Sequence, residues 1–228
     1  MNGNETTISI PSVLKLIVTV FFLLILPVVA YADQVVDKVK PVAEDRSQED
    51  WAERAAALAK MKDWQGLLDW CLKWTKSEPE NALVWGILGI AYRNLDRHDD
   101  SLNACREAVR FNQESAGAWS NLGAAYNHLD RYDDAVDACH EAIRIDPENA
   151  GAWSNLGYAY YNLNSWREAI EACREAVRIN PEGTNAWYFL GSAYLLSGNR
   201  TAALEVVQKL RQLDPERGDK LFDLIVPR

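Results

Sequence analysis

Apolar and polar positions alternate along this chain with a helical period, and that pattern itself recurs. In one stretch, Trp119, Leu122, Gly123 and Tyr126 fall at offsets 0, +3, +4 and +7. On an α-helix those positions form a single stripe. A polar turn follows, LDRYDD at 129–134 here and LSGNRT at 196–201 near the end. Then Ala135, Cys139 and Ala142, spaced by four and three, make a second helical stripe. Pro147 stands just beyond it, where a proline ends a helix. The pattern predicts two antiparallel helices, each roughly 12–14 residues long, on the spacing of these stripes.

The larger period is 34 residues. Trp51, Trp85, Trp119, Trp153 and Trp187 mark it. Pro79, Pro147, Pro181 and Pro215 follow their tryptophans by 28 residues, with Gln113 in the second unit's place. Gly89, Gly123, Gly157 and Gly191 recur at +4, and Tyr92, Tyr126, Tyr160 and Tyr194 at +7; Ala55 and Leu58 stand there in the first unit. Residues 115–148 and 149–182 agree at 20 of 34 positions. The units run 47–80, 81–114, 115–148, 149–182 and 183–216. The glycine and the small Ala135 and Ala142 let two helices approach closely, and Trp and Tyr fill the space around them. No two-helix unit has a core of its own, so stacking must supply one.

These residues resemble the tetratricopeptide repeat: W-x-x-L-G-x-x-Y, then A-x-x-x-C-x-x-A, then P, at its period of 34. The resemblance covers about 170 residues, 47 to 216. It implies an all-α fold, a right-handed α-solenoid of helix-turn-helix units. The first unit diverges most, with Leu67 and Trp74 at positions that are small elsewhere. Residues 217–228 place Leu221, Leu224 and Ile225 on one helical face, which suits a C-terminal capping helix over the last repeat.

Ahead of the repeats, residues 16–32 carry no charge and end in Ala30-Tyr31-Ala32 after Pro27. Residues 1–32 read as a signal peptide cleaved after Ala32, with an uncleaved anchor over residues 13–32 as the alternative. The first places the protein outside the cytoplasm, periplasmic or secreted; the second ties it to a membrane. Residues 33–46 read as a charged linker.

The formal net charge of −9 removes the broad attraction for phosphate that nucleic-acid binding needs. Cys71, Cys105, Cys139 and Cys173 share one register, 34 apart. Neighbouring second helices stand about 8–10 Å apart, too far for disulfides, so the four are expected as buried, unpaired thiols. Unpaired thiols fit a reducing compartment, which weighs slightly against export. His98 and His140 read as surface residues, and His128 as a possible ligand contact. No phosphate loop, dinucleotide-binding motif, metalloprotease motif or nucleophile elbow occurs. The chain is expected not to be an enzyme and to need no cofactor or metal.

What recurs serves the fold; what varies is free for function. Offsets +1, +5 and +8 from each Trp share a strip of the first helix. It reads Ala52, Ala56, Ala59 in the first unit, but Ser154, Tyr158, Tyr161 and Tyr188, Ser192, Leu195 in the last two. In tetratricopeptide repeats this strip lines a concave groove for a peptide, so the resemblance implies a groove bounded by Arg93, Asn127, His128, Tyr158, Tyr161, Asn162, Tyr188 and Leu195. Tyrosines packing only between adjacent first helices are the alternative. Asn121 and Asn155 match the family's common Asn, but the strip holds Arg93 as its one cation. A clamp for acidic tails is therefore not expected; the partner should be neutral, apolar or basic. The sequence points to a protein-interaction scaffold, or else to an accessory subunit of an envelope-biogenesis or secretion complex that positions a separate enzyme.

Overall fold

The computed structural model describes residues 46–226. The leader or anchor over 1–32 and nearly all of the 33–46 linker lie outside the described residues. Eleven α-helices and no strands occur among the described residues. The chain divides into two compact units at Asp63 and Trp64.

In the first unit, α1 (Arg46–Lys60) buries Ala55, Leu58 and Ala59 along one stripe. Its last turn closes with the Asp63 N–H donating to the Leu58 carbonyl at 3.0 Å, while Lys62 takes φ 56°.

The second unit holds ten helices: α2 (Trp64–Ser77), α3 (Ala82–Asn94), α4 (His98–Phe111), α5 (Ala116–His128), α6 (Tyr132–Ile145), α7 (Ala150–Asn162), α8 (Trp166–Ile179), α9 (Thr184–Leu196), α10 (Arg200–Leu213) and α11 (Pro215–Ile225). α3, α5, α7 and α9 are first helices, each packed on the second helix that follows it. Each second helix packs onto the next first helix, and first helices also touch across repeats, α3 on α5, α5 on α7 and α7 on α9. This is the all-α solenoid that the period implies.

Repeated local chemistry sets the helix ends. Asn81, Ser115 and Asn149 cap α3, α5 and α7, each side chain accepting from a first-turn N–H at 2.9–3.2 Å. Asp96, Asp130, Asn164 and Gly198, again 34 apart, end α3, α5, α7 and α9 with φ of 56–86°. The next N–H donates back to the Tyr carbonyl five residues earlier, as Arg131 does to Tyr126 at 3.0 Å. That wrap satisfies a carbonyl the helix end leaves open.

Helix pairs close on glycine. A Cβ on Gly89, Gly123 or Gly157 would stand 2.4–2.6 Å from the Sγ of Cys105, Cys139 or Cys173. The cysteine thus fills the space its partner glycine leaves. All four cysteines are free and buried, and burial raises their thiol pKa values, to about 12 at Cys71 and Cys173 and about 11 at Cys105. Thiols held protonated are poor nucleophiles. Facing Gly191, the capping helix supplies the filler: Leu221 Cδ2 would meet a Cβ at 2.4 Å. Leu221 and Ile225 join Leu190, Val207 and Leu210 in the C-terminal core. Leu224, expected on that face, is instead 57% exposed; three residues past Leu221, it turns away from α9 and α10 while Ile225, at four, stays beneath it.

Candidate functional site

The strip at +1, +5 and +8 changes character along the second unit. On α3 and α5 it is mostly closed: Gly86, Ile90, Ser120, Ala124 and Asn127 are buried, and Arg93 is half-buried. On α7 and α9 it opens and turns aromatic. Tyr158, Tyr161 and Tyr188 are half-buried, and Phe189 binds them together. Its ring centroid lies 4.8 Å from Tyr158, 5.4 Å from Tyr161 and 5.5 Å from Tyr188, edge-on or tilted. Tyr132 and Trp166, the first residues of α6 and α8, extend the cluster toward Tyr158 at 6.2 Å and Tyr161 at 5.5 Å. Burial raises the Tyr161 phenol pKa first, with Tyr188 and Tyr158 adding to it. At neutral pH the Tyr161 hydroxyl therefore stays protonated and can donate or accept.

At its far end the cluster meets a cleft of about 250 Å³ lined by Asn185, Tyr188, Phe189, Arg217 and Lys220. Arg217 of α11 donates to the Asn185 amide oxygen, and Lys220 pairs with Glu216 at 2.7 Å. A larger cleft of about 580 Å³ lies on α8, α9 and α10, beside the repeated Trp187 and Tyr194 rather than on the strip.

The structure brings together Tyr158, Tyr161 and Tyr188. Leu195, half-buried on α9, packs against the C-terminal core, as Tyr188 and Phe189 also do, but makes no ring contact with the cluster. Asn162 donates to the Tyr158 carbonyl at 2.8 Å within its own helix. Asn127, 4% exposed, faces the neighbouring helix, donating to the Asn155 carbonyl at 2.9 Å. Asn155 in turn donates to the Ser120 carbonyl at 3.1 Å. These two amides tie α5 to α7.

Arg93 and His128 form a separate group with His98, near the start of the strip. The His98 and His128 rings stack with centroids 5.0 Å apart and planes at 15°. His128 has its pKa lowered, by burial first, then by Arg93 and by His98, against a smaller pull from Asp96. His140 is exposed, as His128 is, and bonds the Tyr160 hydroxyl at 3.1 Å.

Sequence comparison of the repeats passed over Phe189, Tyr132 and Trp166, and read as a surface residue His98, which is half-buried with its Nδ1 covered. Phe189 holds the +2 position of Asn121 and Asn155, so its departure was visible. The other three belong to second helices, at a position that is a ring in four units running, Trp64, His98, Tyr132 and Trp166. Among the described residues no group of three or more His, Cys, Asp or Glu is placed to hold a metal. No described helix is long and apolar enough to cross a membrane.

Models of the tetratricopeptide repeat match residues 116–149, 141–184 and 154–217. Among solved structures, a crystal structure of MamA is similar at 25% identity, covering 72% of this chain and 96% of that one, with a TM-score of 0.59. TTC0263, a thermophilic tetratricopeptide-repeat protein of Thermus thermophilus, aligns at 18% identity over 78% of this chain and 96% of its own, TM-score 0.66. YrrB, described as a tetratricopeptide-repeat protein with an unusual peptide-binding site, aligns at 17% identity over 85% and 98%, TM-score 0.57. No curated protein matches the chain by sequence.

Proposed function

Because the chain is a tetratricopeptide-repeat protein, we propose that it is a non-enzymatic interaction scaffold that docks a peptide or protein partner on the strip of α7 and α9. The observation that carries this is the half-buried cluster of Tyr158, Tyr161, Tyr188 and Phe189. On α3 and α5 most of the same positions hold small or covered residues, Arg93 and Asn121 excepted. Aromatic side chains with a polar tip are the residues that most often anchor an interface. Rings already held against Phe189, edge to face or tilted, lose little side-chain freedom on binding, which favours affinity.

The layout of the helices supports a groove there. First helices pack on one another across repeats, whereas second helices make no comparable contact among themselves among the described residues. A stack in which one layer of helices lies closer together curves toward that layer. The aromatic strip would then line the inner face. Apolar side chains in the partner's central segment match these rings.

We infer from the sequence that the repeats act outside the cytoplasm, following cleavage after Ala32. Amino-terminal sequencing of the mature protein checks this: a start at Asp33 supports it, and an intact Met1 assigns an anchor instead.

Peptide selection from a random display library against the full chain tests the docking surface. Selected peptides should carry aromatic or aliphatic residues and shift the amide resonances of α7 and α9. Shifts confined to the cleft of α8, α9 and α10 would move the binding site off the strip.

A further inference from the structure

Two imidazoles stack where α4 begins and α5 ends, Arg93 in the last turn of α3 acts on them, and among the described residues no carboxylate pairs with any of the three. His98 is the first residue of α4 and His128 the last of α5. Their rings lie nearly parallel, 5.0 Å apart, and the His98 Nδ1 is buried with no hydrogen-bond partner. Arg93, in the last turn of α3, is close enough to depress the His128 pKa. It is half-buried, and among the described residues no carboxylate pairs with it. Its own pKa is lowered, by burial first. Most other arginines differ: Arg97, Arg110, Arg131, Arg144 and Arg178 each pair with an acidic residue at 2.6–2.8 Å.

A half-buried cation without a counter-ion has lost part of its water, and an entering anion is favoured beside it. Two imidazoles beside it add two N–H donors, and each gains a proton more readily once an anion sits against it. We propose that Arg93, His98 and His128 form a receptor for one anionic oxygen group, carboxylate or phosphoryl. Assigning that group to the protein partner rests on the docking reading above; the anion site itself does not. The partner then carries an acidic group beside its apolar segment. Counting Arg93 as the strip's one cation left the two histidines out, and so suggested a neutral, apolar or basic partner.

Binding should strengthen as pH falls, since the bound anion favours charged imidazoles. The titratable and charged groups that act on His128 are Arg93, His98 and Asp96, and Arg93 lies near the Cys105 thiol, which burial keeps neutral. Asp96, exposed on the turn after α3, opposes an anion but lacks an ion pair with Arg93.

The test is a proton NMR titration of the three histidine rings of the full chain, with sodium acetate and separately with inorganic phosphate, at constant ionic strength. His98 and His128 should shift together and saturably, with their titration midpoints displaced upward, while His140 stays put. Arg93→Gln should weaken the response about tenfold, as loss of a charge-assisted contact does, and Arg93→Lys should retain most of it. A stronger response to acetate assigns a carboxylate, and one to phosphate a phosphoryl group. Equal drift of all three histidines, or no saturation in the unmodified chain, would overturn the site whatever the variants do. Neither result touches the tyrosine strip, which small anions do not probe.

Discussion

The indole N–H of Trp119 donates to the carbonyl oxygen of Gln113 over 2.8 Å. The same bond joins Trp85 to Pro79, Trp153 to Pro147 and Trp187 to Pro181, at 2.7–2.8 Å. Each first helix is thereby tied back to the loop that enters it. The recurrent proline contributes a carbonyl at the right place as well as a stop for the preceding helix, which is how Gln113 can replace it. Trp119→Phe keeps the ring's bulk and deletes the donor, so chemical denaturation should show a loss of about 1 kcal/mol. Gln113→Pro keeps the carbonyl, follows an extended Asn112 at φ −145°, and should add about 0.5 kcal/mol by restricting the unfolded chain.

The pairing of Gly157 with Cys173 makes a second prediction. A methyl on Gly157 would stand 2.4 Å from Cys173 Sγ and 3.3 Å from its backbone nitrogen. Gly157→Ala alone should cost about 1–3 kcal/mol by overpacking. Adding Cys173→Ala removes the sulfur from the clash, so the double variant should be more stable than the sum of the single losses implies. A double-mutant cycle from thermal melts measures that coupling; strict additivity would mean that the two residues do not compete for one space.

The left-handed turns differ in what they tolerate. Gly198 has φ 86° with open space around it, so Gly198→Ala should cost about 1 kcal/mol through backbone strain alone. Asp130→Gly, at φ 56°, should change stability by less than about 0.5 kcal/mol, because Asp already bears left-handed geometry well. Paired melts of the two variants give the comparison.

His128 makes stability depend on pH. Burial, Arg93 and His98 hold its pKa below the ordinary 6.5. Between the lowered folded value and 6.5 the unfolded chain binds more protons than the folded one. Stability therefore falls as pH drops through that window, and is complete above it. His128→Gln should flatten this part of the denaturation-versus-pH profile, and a steeper fall in the variant would contradict the assignment.

Nearly all of the fold was legible because it is written five times. The spacings of Trp, Gly, Tyr and Pro each recorded one contact: indole to loop carbonyl, glycine to cysteine, tyrosine carbonyl to turn. The capping helix was legible as an element, but three or four residues past Leu221 place a side chain on different sides of a helix. Only the packing showed Leu224 exposed and Ile225 covered. The candidate site was half legible. Variation along one helix pointed to Tyr158, Tyr161 and Tyr188, yet Phe189, Tyr132 and His98 reach the site from other offsets or from the second helices. Asn127 varied among the repeats as a binding residue would, while its amide serves the α5–α7 contact. A single-helix strip holds no record of what crosses between helices.

The central claim is that α7 and α9 present the docking surface through their aromatic rings. Calorimetric titration of a selected peptide against the full chain tests it directly, using Tyr158→Ala with Tyr161→Ala and, as control, Arg167→Ala with Glu171→Ala on the exposed face of α8. Melting is followed alongside, because the tyrosines also touch Phe189. The tyrosine pair should weaken binding by at least about tenfold, roughly 1.4 kcal/mol, with the helical signal retained and the control unchanged. Undiminished affinity in the tyrosine variant, or equal losses in both, would contradict it and leave the rings as packing between repeats.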